Sequence, residues 1–175
     1  MKNSHIGKLP PRYTFLLNPH PESRLTKCPK CGKLTYPRKF PLFTSVVGWG
    51  PLTIGKTCKY CPRCEQIMCN QNDFDEVLTE MFRKLRPEVI GNEYMVLGTV
   101  TPKMWKSALA GKTIALEEML ENVADFKRIL TLDIDPGGWR RPGDDERWII
   151  KHADAERRRK TPWTEYGKSA KPPLQ

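Results

Sequence analysis

Five of the six cysteines fall in two tight clusters, CPKCG at 28–32 and CKYCPRCE at 58–65. No other feature limits the fold as strongly, because sulfurs so grouped serve as disulfides, as a redox thiol pair or as metal ligands. The N-terminal stretch MKNSHIGKLPPRYTFLLNPH has no apolar run long enough for a secretory signal. The expected setting is therefore reducing and cytoplasmic, where disulfides rarely persist. In such a setting paired C-x-x-C clusters read as a metal site.

The local chemistry agrees. A C-x-x-C turn brings two sulfurs to one ion while nearby amides donate to them. Proline after the first cysteine preorganises the turn, and glycine after the second tolerates a left-handed backbone. CPKCG has both features, whereas CPRCE has Glu65 in the glycine position. Because Cys58, Cys61 and Cys64 form C-x-x-C-x-x-C, either Cys58/Cys61 or Cys61/Cys64 completes the set. The choice of two C-P-x-C knuckles favours Cys28, Cys31, Cys61 and Cys64 as ligands. Cys58 alternates with Leu52, Ile54 and Lys56 and reads as a packed side chain. Cys69, after Ile67 and Met68, reads as a small buried one.

Two such knuckles separated by a β-hairpin resemble the zinc-ribbon class, of the rubredoxin-like kind, over roughly residues 25–70. The resemblance implies one structural Zn²⁺ held by four cysteines at one end of a small sheet. It implies no single activity, since such ribbons bind nucleic acid, dock proteins and scaffold enzymes alike. A four-thiolate zinc has no open position for water, so it holds a fold together.

Hydrophobic periodicity supplies the rest of the outline. RYTFLL (12–17) reads as a strand with Tyr13, Phe15 and Leu17 on one face, and 39–47 and 52–60 read as a hairpin around GWGP. Pro37 and Pro41 place the first hairpin strand at a sheet edge or break it. DFDEVLTEMFRKLR (73–86) gives one apolar stripe, capped by Asn72 or Asp73 and stopped by Pro87. A strand at 93–100, helices at 101–111 and 113–124 and a strand at 125–135 follow. In the second of these helices Leu116, Met119, Leu120 and Val123 face inward; in the final strand Phe126, Leu130, Leu132 and Ile134 share one side. The expected fold is α+β: a zinc ribbon with its N-terminal strand over 1–71, a helix plus β-α-α-β unit over 72–135 sharing its core, and a flexible basic aromatic tail over 136–175.

The net charge of +10 is uneven: residues 1–60 hold 11 Lys/Arg against one acid, Glu22, while 61–135 hold 9 against 13 acids. Basicity concentrated beside the cysteines points to a polyanion. The expected nucleic-acid contacts, RNA or DNA, are Lys30, Lys33, Arg38, Lys39, Lys59 and Arg63 for phosphates and Trp49 for base stacking. Lys27 and Lys56, with Tyr36, Phe40 and Tyr60, add to the same region. The rival expectation is an adaptor docking on a protein through residues 93–135 or the tail. No phosphate-binding loop, dinucleotide fingerprint or H-E-x-x-H occurs, and Glu117, Glu118 and Glu121 read as a solvated helix face. The histidines at 5, 20 and 152 form no catalytic set, so the chain is expected not to be an enzyme. No apolar run reaches 18 residues, so no membrane partner is expected.

Overall fold

The computed structural model describes residues 5–132 and the backbone of 149–150. The tail expected over 136–175, and Ile134, lie outside the described residues. The fold is α+β. Its strands are β1 (Thr14–Asn18), β2 (Tyr36–Val46), β3 (Gly50–Cys61), β4 (Gln66–Asn70), β5 (Tyr94–Val100), β6 (Val123–Asp125), β7 (Arg128–Leu132) and β8 (Ile149–Ile150). They form one sheet in the order β6-β5-β2-β3-β4-β1-β7-β8. Its helices are α1 (Gln71–Leu85), α2 (Pro102–Leu109) and α3 (Leu116–Glu121).

The hairpin β2–β3 is the spine, paired from Tyr36↔Tyr60 to Val46↔Gly50. β1 runs parallel to both β4 and β7. The sheet curls until the segment before β1 reaches β6: Leu9 bridges Ala124, and the amides of Leu9 and Arg12 donate to the carbonyls of Val123 and Asp125 at 3.1 and 2.8 Å. β6 pairs with β5 on its other flank, so the curl closes there. The Asp125 carboxylate, itself buried, accepts the amides of Ile6 (2.6 Å) and Gly7 (2.8 Å) and fixes this seam.

Strand alternation sorts side chains onto two faces. Tyr13, just before β1, Phe15 of β1, Phe40 and Leu42 of β2, Ile54 and Cys58 of β3 and Ile67 and Cys69 of β4 meet in the main core. α1 completes that core with Phe74, Leu78 and Phe82. A second cluster on the opposite face joins Leu16, Met68, Leu130 and Leu132 to Leu25, Cys28 and Cys61. A third packs Phe43, Val100 and Val123 under Met104 of α2, with Met119 and Leu120 alongside.

Four details differ from the sequence expectation. The helix expected at 113–124 is only Leu116–Glu121, with no buried residue and Leu116 exposed; Val123 belongs to β6, where pairing with β5 outweighs helical periodicity. Phe126 faces the main core whereas Leu130 and Leu132 face the second cluster, because the chain breaks between β6 and β7. The helix at 73–86 begins earlier, at Gln71, with Asn70 as its N-cap and without a side-chain cap hydrogen bond. β4 was not foreseen as a strand. Its first four residues are all buried, so no polar alternation marks it.

Candidate metal centre and the basic face around it

The two cysteine clusters meet at one end of the spine. The chain between β1 and β2 is shaped by short bonds: Thr35 Oγ1 donates to the Leu25 carbonyl at 2.5 Å, and the Cys28 amide to the Lys33 carbonyl at 2.8 Å. The Gly32 amide donates to the Cys28 carbonyl at 2.8 Å, closing the first knuckle, and Gly32 takes φ +71°. The second knuckle is the turn from β3 to β4, and Glu65 takes φ +48° there.

The sulfurs of Cys28, Cys31, Cys61 and Cys64 all lie within 4.8 Å of one another. Cys31 and Cys61 approach to 3.5 Å. Four sulfurs at about 2.3 Å from a tetrahedral zinc lie about 3.8 Å apart, so the donor set fits that ion with small adjustment. Cys58 is excluded by strand period. It sits three residues before Cys61 on β3, points to the opposite face, and contributes to the main core opposite Cys69. Cys69, fully buried there, is held protonated by the neighbouring Cys58 thiol and by burial.

The four thiols are electrically unequal. Burial pushes Cys28 up to about 11, against the amides of Cys31 and Lys30, which donate to its sulfur. Burial also raises Cys31, but the Lys33 amide and the thiols of Cys61, Cys64 and Cys28 outweigh it and bring the group down to about 7. Cys64 is raised by burial and by hydrogen bonding to Cys31. A divalent cation reverses the penalty of gathering such groups, since coordinating thiols are deprotonated outright.

Gln66 supports the same fit. It follows the second knuckle, is buried, and places Oε1 3.9 Å from the Cys28 sulfur. Its Nε2 is buried without a hydrogen-bond partner. The two ends of an amide are exchanged by a simple flip, which would aim that donor at a metal-bound thiolate. Sequence reasoning passed over Gln66, whose only signal is its place two residues after Cys64.

The structure divides the foreseen cationic residues between the two knuckles and the two faces of the adjoining hairpin end. Lys30 and Lys33 are exposed on the first knuckle and Arg63 on the second. Arg38 leaves the base of β2 and stacks over Phe40 and Tyr60 at 5.0 and 5.2 Å. Lys39 follows it, and Lys59 lies opposite Pro37 on β3. Tyr36, 57% exposed, stands at the same end. Trp49 does not join them. It lies at the hairpin tip, roughly 30 Å away along the strands at ~3.3 Å per residue, edge-on to Phe82 at 5.3 Å. Phe40 is a core residue. Sequence reasoning missed Arg12, which stacks over Tyr13 at 4.6 Å, because nothing local shows that residue 12 meets residue 38.

No protein-family model, curated protein or solved structure matches the chain. Among the described residues, no helix is long and apolar enough to cross a membrane.

Proposed function

We propose that this protein binds nucleic acid on a basic face made rigid by one structural Zn²⁺ on Cys28, Cys31, Cys61 and Cys64. The observation that carries the reading is the meeting of both knuckles at one end of the β2–β3 hairpin. That meeting brings the knuckle of Lys30 and Lys33 to that of Arg63, at the end of the hairpin where Arg38 and the exposed Tyr36 stand. Lysines and arginines supply phosphate contacts, and an exposed aromatic at the same end supplies a stacking surface. Zinc is the metal by donor chemistry, since four thiolates in a tetrahedral arrangement suit it. The four cysteines that would hold the ion pack with Leu16, Met68, Leu130 and Leu132 of β1, β4 and β7. The ion's role is to stiffen the platform, because four protein ligands leave no position for a reacting group.

The test is elemental analysis of the purified protein followed by salt-titrated fluorescence anisotropy with single-stranded DNA and RNA. The expected results are one zinc per chain and affinity falling linearly with log salt, with a slope of about −0.7 for each phosphate neutralised. Reversal of Lys30, Lys33 and Arg38 to glutamate abolishes binding. Salt-insensitive binding, or binding that survives the reversal, overturns the reading.

A further inference from the structure

Between the segment before β1 and the first half of β2 lies a cavity of about 430 Å³, within the range of roughly 300–1,000 Å³ typical of small-molecule sites. It opens where the curl of the sheet is incomplete. β5 pairs with β2 only from Leu42 to Val46, so the half of β2 from Tyr36 to Pro41 is paired on the β3 side alone. Pro37 and Pro41 lie in that half, where a missing amide costs no ladder bond. The N-terminal segment through Arg12 forms the facing wall, and Thr101 at the start of α2 closes one end.

The lining is chemically lopsided. Arg12 and Arg38 supply two cations and the lining holds no acid, while Lys39, also in the lining, carries its side chain across to Gly55 beside Trp105. Among the described residues neither guanidinium group has an ion-pair or hydrogen-bond partner. Both guanidinium groups are instead braced on aromatic faces, Arg12 on Tyr13 and Arg38 on Phe40 and Tyr60, which fixes the planes while leaving the N–H edges available. Asp125, next to the lining residue Ala124, has its carboxylate engaged by the amides of Ile6 and Gly7, and Glu65 is engaged by Lys127 at 3.3 Å. The floor is buried Tyr13, Phe40, Val100 and Ala124, and prolines form part of the wall, so a flat apolar group has a surface to rest on.

We infer that this cavity receives the terminal phosphomonoester of a nucleotide, either at the end of a strand or on a free mononucleotide. Two guanidinium groups without an acid match a dianionic phosphomonoester better than the single charge of an internal diester. The strand-end source rests on the nucleic-acid reading above; the free-nucleotide source does not.

The test compares one single-stranded oligonucleotide in three forms, with 5′-phosphate, 3′-phosphate and hydroxyl ends, by anisotropy at fixed salt. A nucleoside monophosphate is titrated separately by calorimetry. The expected result is about tenfold tighter binding of one phosphorylated form than of the hydroxyl form, the scale of a charge-assisted contact. Arg12→Gln, an exposed position whose folding is checked by its melting curve, removes the difference between ends. Monophosphate binding that Arg12→Gln abolishes, with no oligonucleotide bound in any form, supports the cavity through its free ligand and overturns the nucleic-acid reading. Equal affinity for all three ends, with no monophosphate binding, overturns the cavity and leaves the nucleic-acid reading standing. An end preference that survives Arg12→Gln also overturns the cavity.

Discussion

Glu65 occupies in the second knuckle the position that Gly32 occupies in the first, and both have left-handed backbones, at φ +48° and +71°. Left-handed backbone costs a side-chain-bearing residue about 1–2 kcal/mol, whereas glycine adopts it without penalty. Glu65 recovers part of that cost through its ion pair with Lys127, but both side chains are about half exposed, and such pairs contribute little. Glu65→Gly is therefore expected to leave stability unchanged or raise it by up to about 1 kcal/mol, since glycine's greater freedom in the unfolded chain offsets part of the gain. Glu65→Val lowers it, because branching at Cβ tolerates the left-handed region less well than the unbranched glutamate does. Urea unfolding of the zinc-loaded variants checks the order Gly ≥ Glu > Val; a valine variant as stable as the parent sinks it.

The ligand set makes a sharp division among the six cysteines. Cys28→Ser, Cys31→Ser, Cys61→Ser and Cys64→Ser each abolish stoichiometric metal, whereas Cys58→Ala and Cys69→Ala retain it and lose only core packing. Gln66→Glu sets a carboxylate beside the sulfurs in place of a neutral amide, and metal affinity is expected to fall about 10–100-fold. Competition with a chromophoric chelator measures all of these. Metal lost from Cys58→Ala and kept by Cys64→Ser would refute the assignment.

Two glycines crowd β6 from its two sides. A Cβ on Gly98 of β5 would stand 2.2 Å from the Ala124 carbonyl oxygen, and one on Gly7 would stand 2.1 Å from that of Val123. Backbone cannot yield there without parting strands at the seam. Gly98→Ala is expected to destabilise by about 1–3 kcal/mol and to speed amide exchange along β5 and β6 first. A variant with parental stability and exchange would show that the strands are not held so closely.

Much of this molecule is readable in its residues because the cues are local. Cysteine spacing with its prolines gives the knuckles, the flanking β-branched runs give the hairpin, and the Phe74–Leu78–Phe82 stripe gives α1. Pro37 and Pro41 suggest an edge or broken strand, whereas β2 runs unbroken between β5 and β3 and only its half through Pro41 lacks a partner on the β5 side. What escapes is set by distant pairing. Leu116, Met119, Leu120 and Val123 have helical spacing, yet Val123 is claimed by β5. β4 is buried along almost its whole length, so it shows no alternation. Cys58 and Cys61 look interchangeable in a C-x-x-C-x-x-C run until strand period sends them to opposite faces. The cavity cations come from residues 12 and 38, and only the curl of the sheet brings them together.

The last expectation concerns a charge the fold does not accommodate well. Asp75 projects from α1 into the core and is fully buried. The Tyr94 hydroxyl donates to its Oδ1, while Oδ2 has no hydrogen-bond partner. Burial pushes the carboxyl up to about 7, with the Tyr94 bond acting in the opposite direction. Because the folded value lies above the ordinary carboxylate value near 3.9, the folded state favours the neutral acid. That preference is fully present below about pH 4, where both states hold the proton. It is lost between about pH 4 and 7, as the unfolded chain ionises and the folded one resists. The loss is on the order of 4 kcal/mol at about 1.4 per unit. Asp75→Asn removes the titrating group. The difference in unfolding free energy between variant and parent, measured in urea at fixed zinc from pH 5 to 8.5, is expected to rise with pH in the variant's favour. Taking the difference cancels the pH dependence of the cysteine site, which both proteins share. A difference that stays flat across that range would mean that Asp75 is hydrated or paired in solution, and that the core carries no latent charge.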